Sequence, residues 1–213
     1  MKIRMQTVGP FQENSYLVVD EATNRAVLID PGDEPDRLVA MVKSSGAVLD
    51  AIWLTHAHVD HIGGIAGVRR VYPVPVHLHP ADQPLFDRGE EQAATFGLAF
   101  EQPEAPDVEL VEGGVLTVGG VTFEVLHTPG HAPGHVVFRH GGTVLGGDLL
   151  FAGSIGRTDL PLCDPEQMQE SLARICELDD ATVVYPGHGP RTTIGHERAT
   201  NGFLTGLARI VRR

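Results

Sequence analysis

Thr55-His56-Ala57-His58-Val59-Asp60-His61 gathers four metal-ligand side chains into six consecutive positions, immediately after an apolar run. In extended backbone, residues two apart project the same way. His56 and His58 can therefore grip one ion, with small Ala57 letting their rings converge. Entry into a helix then swings Asp60 and His61 to a neighbouring position, where they could hold a second. Imidazole nitrogen combined with carboxylate oxygen is the donor set that a borderline cation such as Zn²⁺ accepts.

Three further segments carry ligand-type residues. In His127-Thr128-Pro129-Gly130-His131-Ala132-Pro133-Gly134-His135, two Pro-Gly pairs force tight turns and hold a histidine at each hinge. Spacing alone does not choose among the three. Gly146-Gly147-Asp148 and Tyr185-Pro186-Gly187-His188-Gly189-Pro190 each place one ligand-type residue beside glycine where a strand should end. His77-Leu78-His79 repeats the two-residue spacing, but Pro80 and Ala81 follow it instead of an Asp-His pair, so a structural role is expected. The same holds for His140 and His196. Two cysteines, Cys163 and Cys176, make no disulfide framework. No histidine adjoins Cys163 in sequence, and it is expected to act as a small apolar residue.

The elements that must position these residues alternate in type. Period-2 apolar patterns predict strands over Asn14–Asp20 and Arg25–Asp30, joined by the turn Glu21–Asn24, after a short alternating segment over Met1–Pro10. Pro31-Gly32-Asp33 leads into a helix reaching about Ser44. Leu49–Leu54 is an apolar run interrupted only by Asp50, as in a strand covered on both faces, and the histidine-rich loop begins where it stops. Helical patterns follow over His61–Tyr72 and Ala81–Phe100, with a strand over Val74–Leu78 between them and an acidic, proline-bearing loop over Glu101–Glu112 after them. In the second half, strands are expected over Val121–Leu126, His135–Arg139, Thr143–Leu145 and Thr182–Tyr185, and helices over Glu166–Glu177 and Glu197–Arg212. Helices flanking two β-rich halves predict a layered α/β sandwich.

The chain has 213 residues, 42% of them hydrophobic, and a net charge of −12. One core of good size is within reach of that length, so residues 1–213 are expected to form one domain. The acidic excess opposes a phosphate backbone or an anionic lipid surface, and no run of Lys and Arg offsets it. No segment approaches ~18 unbroken apolar residues or forms a signal-peptide core. The expected protein is cytoplasmic, with no nucleic-acid or membrane partner.

Together the four ligand segments resemble the metallo-β-lactamase superfamily, in the order H-x-H-x-D-H, then His, then Asp, then His. The likeness runs closest to short bacterial proteins of the glyoxalase II, or hydroxyacylglutathione hydrolase, type, through T-P-G-H-A-P-G-H, G-D-L-L-F, G-R-T-D-L-P and P-G-H-G-P. It implies the αββα sandwich of that superfamily. It further implies that His56, His58 and His131 hold one metal, that Asp60, His61 and His188 hold the other, and that Asp148 bridges them. His127 and His135 would be structural neighbours. The ions would be two divalent metals, zinc first, with iron or manganese as alternatives. Two such ions about 3.5–4 Å apart share a water whose pKa falls toward neutrality, giving the nucleophile, and their charge holds the oxyanion. Asp60 would orient that hydroxide. The implied reaction is hydrolysis of small-molecule acyl thioesters of the S-lactoylglutathione kind.

Two other activities fit the same residue order. A persulfide dioxygenase would use a single iron on His56, His131 and Asp148, and a lactonase would keep the bridging Asp148, which zinc β-lactamases do not use. The longer glyoxalase II enzymes add a C-terminal helical domain to the thiol site, for which residues 189–213 leave no room. What remains is Gly156-Arg157, where those enzymes carry a basic residue that meets glutathione. Arg157 is expected to pair with a substrate carboxylate, or with nearby Asp159.

Overall fold

The structure is a computed structural model that describes residues 1–210. Strands β1 (Lys2–Val8), β2 (Glu13–Asp20), β3 (Arg25–Ile29), β4 (Val48–Trp53), β5 (Val76–Leu78) and β6 (Val108–Glu109) form one sheet in chain order. It is antiparallel through β3 and parallel from β3 to β6. The second sheet runs β14 (Thr192–Thr193), β13 (Val183–Pro186), β10 (Thr143–Gly147), β9 (Val136–His140), β8 (Val121–His127) and β7 (Val115–Val118). A small hairpin, β11 (Leu150–Phe151) with β12 (Ser154–Ile155), stands apart.

Strand alternation divides the core. Tyr16, Val18, Val27, Ile29 and Trp53 point from the first sheet onto Phe123, Val125, Val136 and Phe138 of the second. Leu17, Val19, Ala26 and Leu28 face the other way. They are covered by α1 (Pro35–Ser45), α2 (Val59–Ile62) and α3 (Ile65–Val71), which bring Leu38, Val42, Ile62 and Val68. On the far side, Leu126, Val137, Val144 and Val184 pack on Met168, Leu172 and Ile175 of α6 (Pro165–Ile175) and on Ile194 of α7 (Ile194–Thr200). The expected αββα sandwich is therefore the observed fold.

Three helical expectations are corrected. The stretch over His61–Tyr72 divides at Gly63-Gly64, where the Gly64 amide bonds the carbonyl of Pro31 instead of continuing the helix. Ala81–Phe100 becomes a 3₁₀ turn, α4 (Gln83–Phe86) and α5 (Gly89–Phe96). The closing helix begins at Ile194 and stops at Thr200. Asn201 ends it, because its side chain bonds the Ser154 carbonyl and Glu197 while also accepting from the Phe203 amide. Residues 211 and 212, the last of that predicted helix, lie outside the described residues. Strand β7, at a sheet edge with Val115 exposed, had no alternation long enough to announce it.

Candidate metal centre

Each ligand-type residue sits where a strand gives way to a loop at one end of the sandwich. His56, His58, Asp60 and His61 follow β4, His131 lies between β8 and β9, Asp148 follows β10 and His188 follows β13. Glycine makes the last of these turns fit. A Cβ at Gly187 would lie 2.2 Å from Asp148 Oδ1 and 2.8 Å from His61 Cε1. At Gly130, with φ of 134°, it would meet the α6 backbone at Met168 N, 2.3 Å away. There α6 starts from an Asp164 cap, whose side chain accepts from the amides of Glu166 and Gln167, while the Asp164 amide bonds the Gly130 carbonyl.

All seven predicted residues come together. The ring nitrogens of His56, His58 and His131 lie within 4.8 Å of one another, and so do the ligand atoms of Asp60, His61 and His188. Asp148 stands between the two groups, its Oδ1 3.4 Å from His61 Nε2 and its Oδ2 3.5 Å from both His131 Nε2 and His188 Nε2. Asp60 Oδ2 is 3.2 Å from His188 Nε2. Three buried atoms here, His56 Nε2, His61 Nε2 and Asp148 Oδ1, have no hydrogen-bond partner. A buried polar atom without a partner is costly. Nitrogen and carboxylate oxygen converging in this way fit a divalent cation.

Contacts behind the rings decide which nitrogen each presents. Nδ1 of His131 bonds the Arg157 carbonyl at 2.8 Å, and Nδ1 of His188 bonds the Phe11 carbonyl at 3.1 Å. Asp30 Oδ2 receives His61 Nδ1 at 3.0 Å and the Thr55 hydroxyl at 2.6 Å, and that hydroxyl oxygen lies 3.0 Å from His56 Nδ1. Four imidazoles therefore keep a proton on Nδ1 and turn Nε2 inward. His58 is reversed, with its Nδ1 2.8 Å from His131 Nε2. Asp30 falls within ligand distance of His56 and His61, but its oxygens are taken by Thr55 and His61, so it positions these rings.

Asp30, Thr55, Asp82 and His135 are the site residues that spacing missed. Asp82 is buried and accepts from the amides of Ala57 and Gly134, tying two ligand loops together, and burial pushes its carboxyl up to about 6. His135, expected only as a structural neighbour, accepts the Asp148 amide on Nε2 at 3.0 Å, with Thr128 Oγ1 2.9 Å from its Nδ1. It thereby aims Asp148. Asp30, like the ligands, lies just past a strand end, here before Pro31-Gly32, and it adopts a left-handed φ of 47°. His77 and His79 remain outside the cluster, as expected. His79 caps the 3₁₀ turn and stacks on His127 at 4.2 Å.

Burial holds His56, His58 and His131 neutral, with His58 lowered to about 3 by burial and by the neighbouring His131. His61 goes the other way: burial would lower it, but the carboxylates of Asp148 and Asp60 outweigh burial and raise it well above its ordinary value. His188 is raised against burial by Asp60 and Asp148. Burial would raise Asp60 and Asp148, yet His61 and the other rings hold both below the ordinary carboxylate value. The cluster thus keeps its carboxylates ionised.

It opens into a pocket of about 440 Å³, lined by Phe11, Leu85, Phe96, Phe151 and Leu162 among apolar residues and by Arg88 and Arg157 among charged ones. Arg157 lines the pocket, and it bonds Asp159 through Nε at 2.8 Å and Nη2 at 3.1 Å.

A family model for the metallo-β-lactamase superfamily matches residues 8–188. The chain belongs to the metallo-β-lactamase superfamily. Within the superfamily it is 39% identical over 209 residues to hydroxyacylglutathione hydrolase GloC of Haemophilus influenzae, covering 96% of this chain and 98% of that one. Among solved structures, TTHA1623 in a di-iron-bound form is 48% identical, with a TM-score of 0.88 over 94% of this chain and 100% of that chain. BLEG-1, a B3 metallo-β-lactamase, is 37% identical, with a TM-score of 0.90 over 96% and 100%. At the level of the superfamily, the chain is a metal-binding hydrolase. Among the described residues, no helix is long and apolar enough to cross a membrane.

Proposed function

We propose that the chain is a binuclear hydrolase of acyl thioesters, with small-molecule substrates of the S-lactoylglutathione type. Its metals would be two divalent ions, zinc first, with the di-iron form of TTHA1623 supporting iron as the alternative. The observation that carries the reading is the convergence of His56 Nε2, His61 Nε2 and Asp148 Oδ1, buried and without partners, beneath an open pocket. His56, His58 and His131 would hold one ion and Asp60, His61 and His188 the other. Asp148, in reach of both groups, would bridge them. When bound, the pair supplies activated water at neutral pH and positive charge for the carbonyl oxygen.

The side chains do the rest. Asp60, in the pocket lining with Oδ2 beside His188, orients the attacking water. His135 and Asp30 hold Asp148 and His61 in place. A thiolate leaves without protonation, so the apolar wall needs no general acid. Arg157 meets a substrate carboxylate at the mouth. The likeness to GloC supports the thioester, and the second cluster, Asp60 with His61 and His188, supports two ions over one.

Metal-loaded protein should hydrolyse S-lactoylglutathione, and His58→Ala and Asp60→Asn should each lower the rate at least about a hundredfold. No hydrolysis above those variants would overturn the reading. A rate confined to lactones or β-lactams would replace the substrate class and keep the centre.

A further inference from the structure

The pocket wall also holds a charged pair that the hydrolysis does not use. Arg88 and Glu91 both line the pocket, and Arg88 Nε donates to Glu91 Oε2 at 2.7 Å. Their side chains are 61% and 66% exposed, and an ion pair so exposed adds under about 1 kcal/mol to stability. Only one donor of Arg88 and one oxygen of Glu91 are engaged in that bond.

The backbone that carries the pair is nevertheless tied to the ligand loop. Gln92, next along α5, donates from Nε2 to the carbonyls of Ala57 at 3.0 Å and Leu85 at 2.8 Å, and its Oε1 accepts from the Val59 amide at 3.2 Å. Those bonds fasten α5 to the loop that carries His58 and Asp60. A cation and an anion side by side at a set offset are the complement of an α-amino-acid zwitterion. Arg157 offers a second, separate cation from the loop after β12, and Phe11 and Phe96, edge to face at 5.1 Å, form an apolar lip beside Arg88 and Glu91.

Building on the thioesterase reading, we infer that Arg88 and Glu91 form a subsite for a free α-amino carboxylate on the substrate's thiol carrier. The carboxylate lies on the Arg88 guanidinium and the ammonium on Glu91, while Arg157 takes a second carboxylate further along. A peptide thiol with a zwitterionic end and a separate carboxylate, as in glutathione, matches all three charges. A carrier lacking the amino group forfeits the Glu91 contact and sets its carboxylate against an unbalanced acid.

The test compares S-lactoylglutathione with its N-acetylated form. Wild type should show a KM about tenfold lower for the free amine. Glu91→Gln should erase that preference, and Arg88→Gln should raise KM for both forms about tenfold. Glu91→Gln retaining the preference, or Arg88→Gln leaving KM unchanged, would overturn the assignment. So would an equal fall in kcat on a small neutral thioester, since that marks a structural role. If wild type hydrolyses no thioester, the thioesterase reading falls alone. Calorimetric titration with S-hexylglutathione and its N-acetyl form then decides the subsite: a tenfold preference lost in Glu91→Gln supports it, and equal affinities refute it.

Discussion

Replacing Asp30 probes how far the proposed centre depends on a residue that touches no ion. Its carboxylate accepts the Thr55 amide at 2.7 Å, the Thr55 hydroxyl at 2.6 Å and His61 Nδ1 at 3.0 Å, with the residue 2% exposed. Alanine would orphan three buried donors at about 1–3 kcal/mol each. It would also place a side chain that disfavours left-handed backbone at φ of 47°, costing about 1–2 kcal/mol more. Even with relaxation, a loss of about 3–5 kcal/mol is expected, a large share of a typical stability of about 5–15 kcal/mol. Asparagine is the sharper variant because it keeps the volume and tolerates the backbone. Its single oxygen can still take the Thr55 amide, which turns the amide nitrogen toward Thr55 Oγ1 and His61. His61 must then give up the Nδ1 proton and carry it on Nε2, where the inward lone pair was. Loss of such an outer partner costs about 10–100-fold in metal affinity, or about 1.4–2.7 kcal/mol. Zinc titration of metal-free protein against a chromophoric chelator should show that loss at one site, while a urea melt shows Asp30→Asn folded. Wild-type affinity at both sites in Asp30→Asn would refute the positioning of His61 by Asp30.

Other expectations follow from single contacts. Gly187→Ala should lower binding of at least one ion about tenfold or more in the same titration, because its Cβ would press on Asp148 Oδ1 and the His61 ring. Cys163 is buried, bonds the His131 carbonyl and is pushed up to about 11 by burial. Its alkylation by iodoacetamide at pH 8 should therefore be at least tenfold slower than that of a free thiol until the chain is unfolded. In the metal-free protein, His56, His58, His131 and His135 are held below the ordinary imidazole value. The unfolded chain takes up protons at these four near pH 6.5 and the folded chain does not, so their contribution is present above that pH and lost below it. Each costs about 1.4 kcal/mol per pH unit on acidification. Raised His61 and His188 act oppositely, losing their contribution only as pH rises. The urea midpoint of metal-free protein should thus fall steeply from pH 6.5 to 5.5, and a flat midpoint would contradict the burial of neutral rings.

What was legible in the sequence was the periodic and the local. β2, β3 and β4 showed in apolar patterning, and the ligand residues showed because chemistry at strand ends leaves little freedom in residue type. His131 stood out from its two neighbours only through family resemblance, since His127, His131 and His135 all flank Pro-Gly turns. Asp30 and Asp82 were not legible, because their partners, Thr55 with His61 and Ala57 with Gly134, are distant in sequence and often backbone amides. Helix ends failed for a related reason: Asn201 stops α7 by reaching the β11–β12 hairpin, a tertiary contact that no local pattern encodes. Arg88 and Glu91 drew no functional reading from the sequence, and only the fold places them on the pocket wall.

The most direct measurement is a titration of metal-free protein with zinc, following hydrolysis of S-lactoylglutathione against equivalents of bound metal. Thioesterase activity should saturate at two ions per chain and be lost with Asp60→Asn. Thioester inertness at every ratio, with protein as isolated holding one iron and consuming oxygen on glutathione persulfide, would contradict the thioesterase reading.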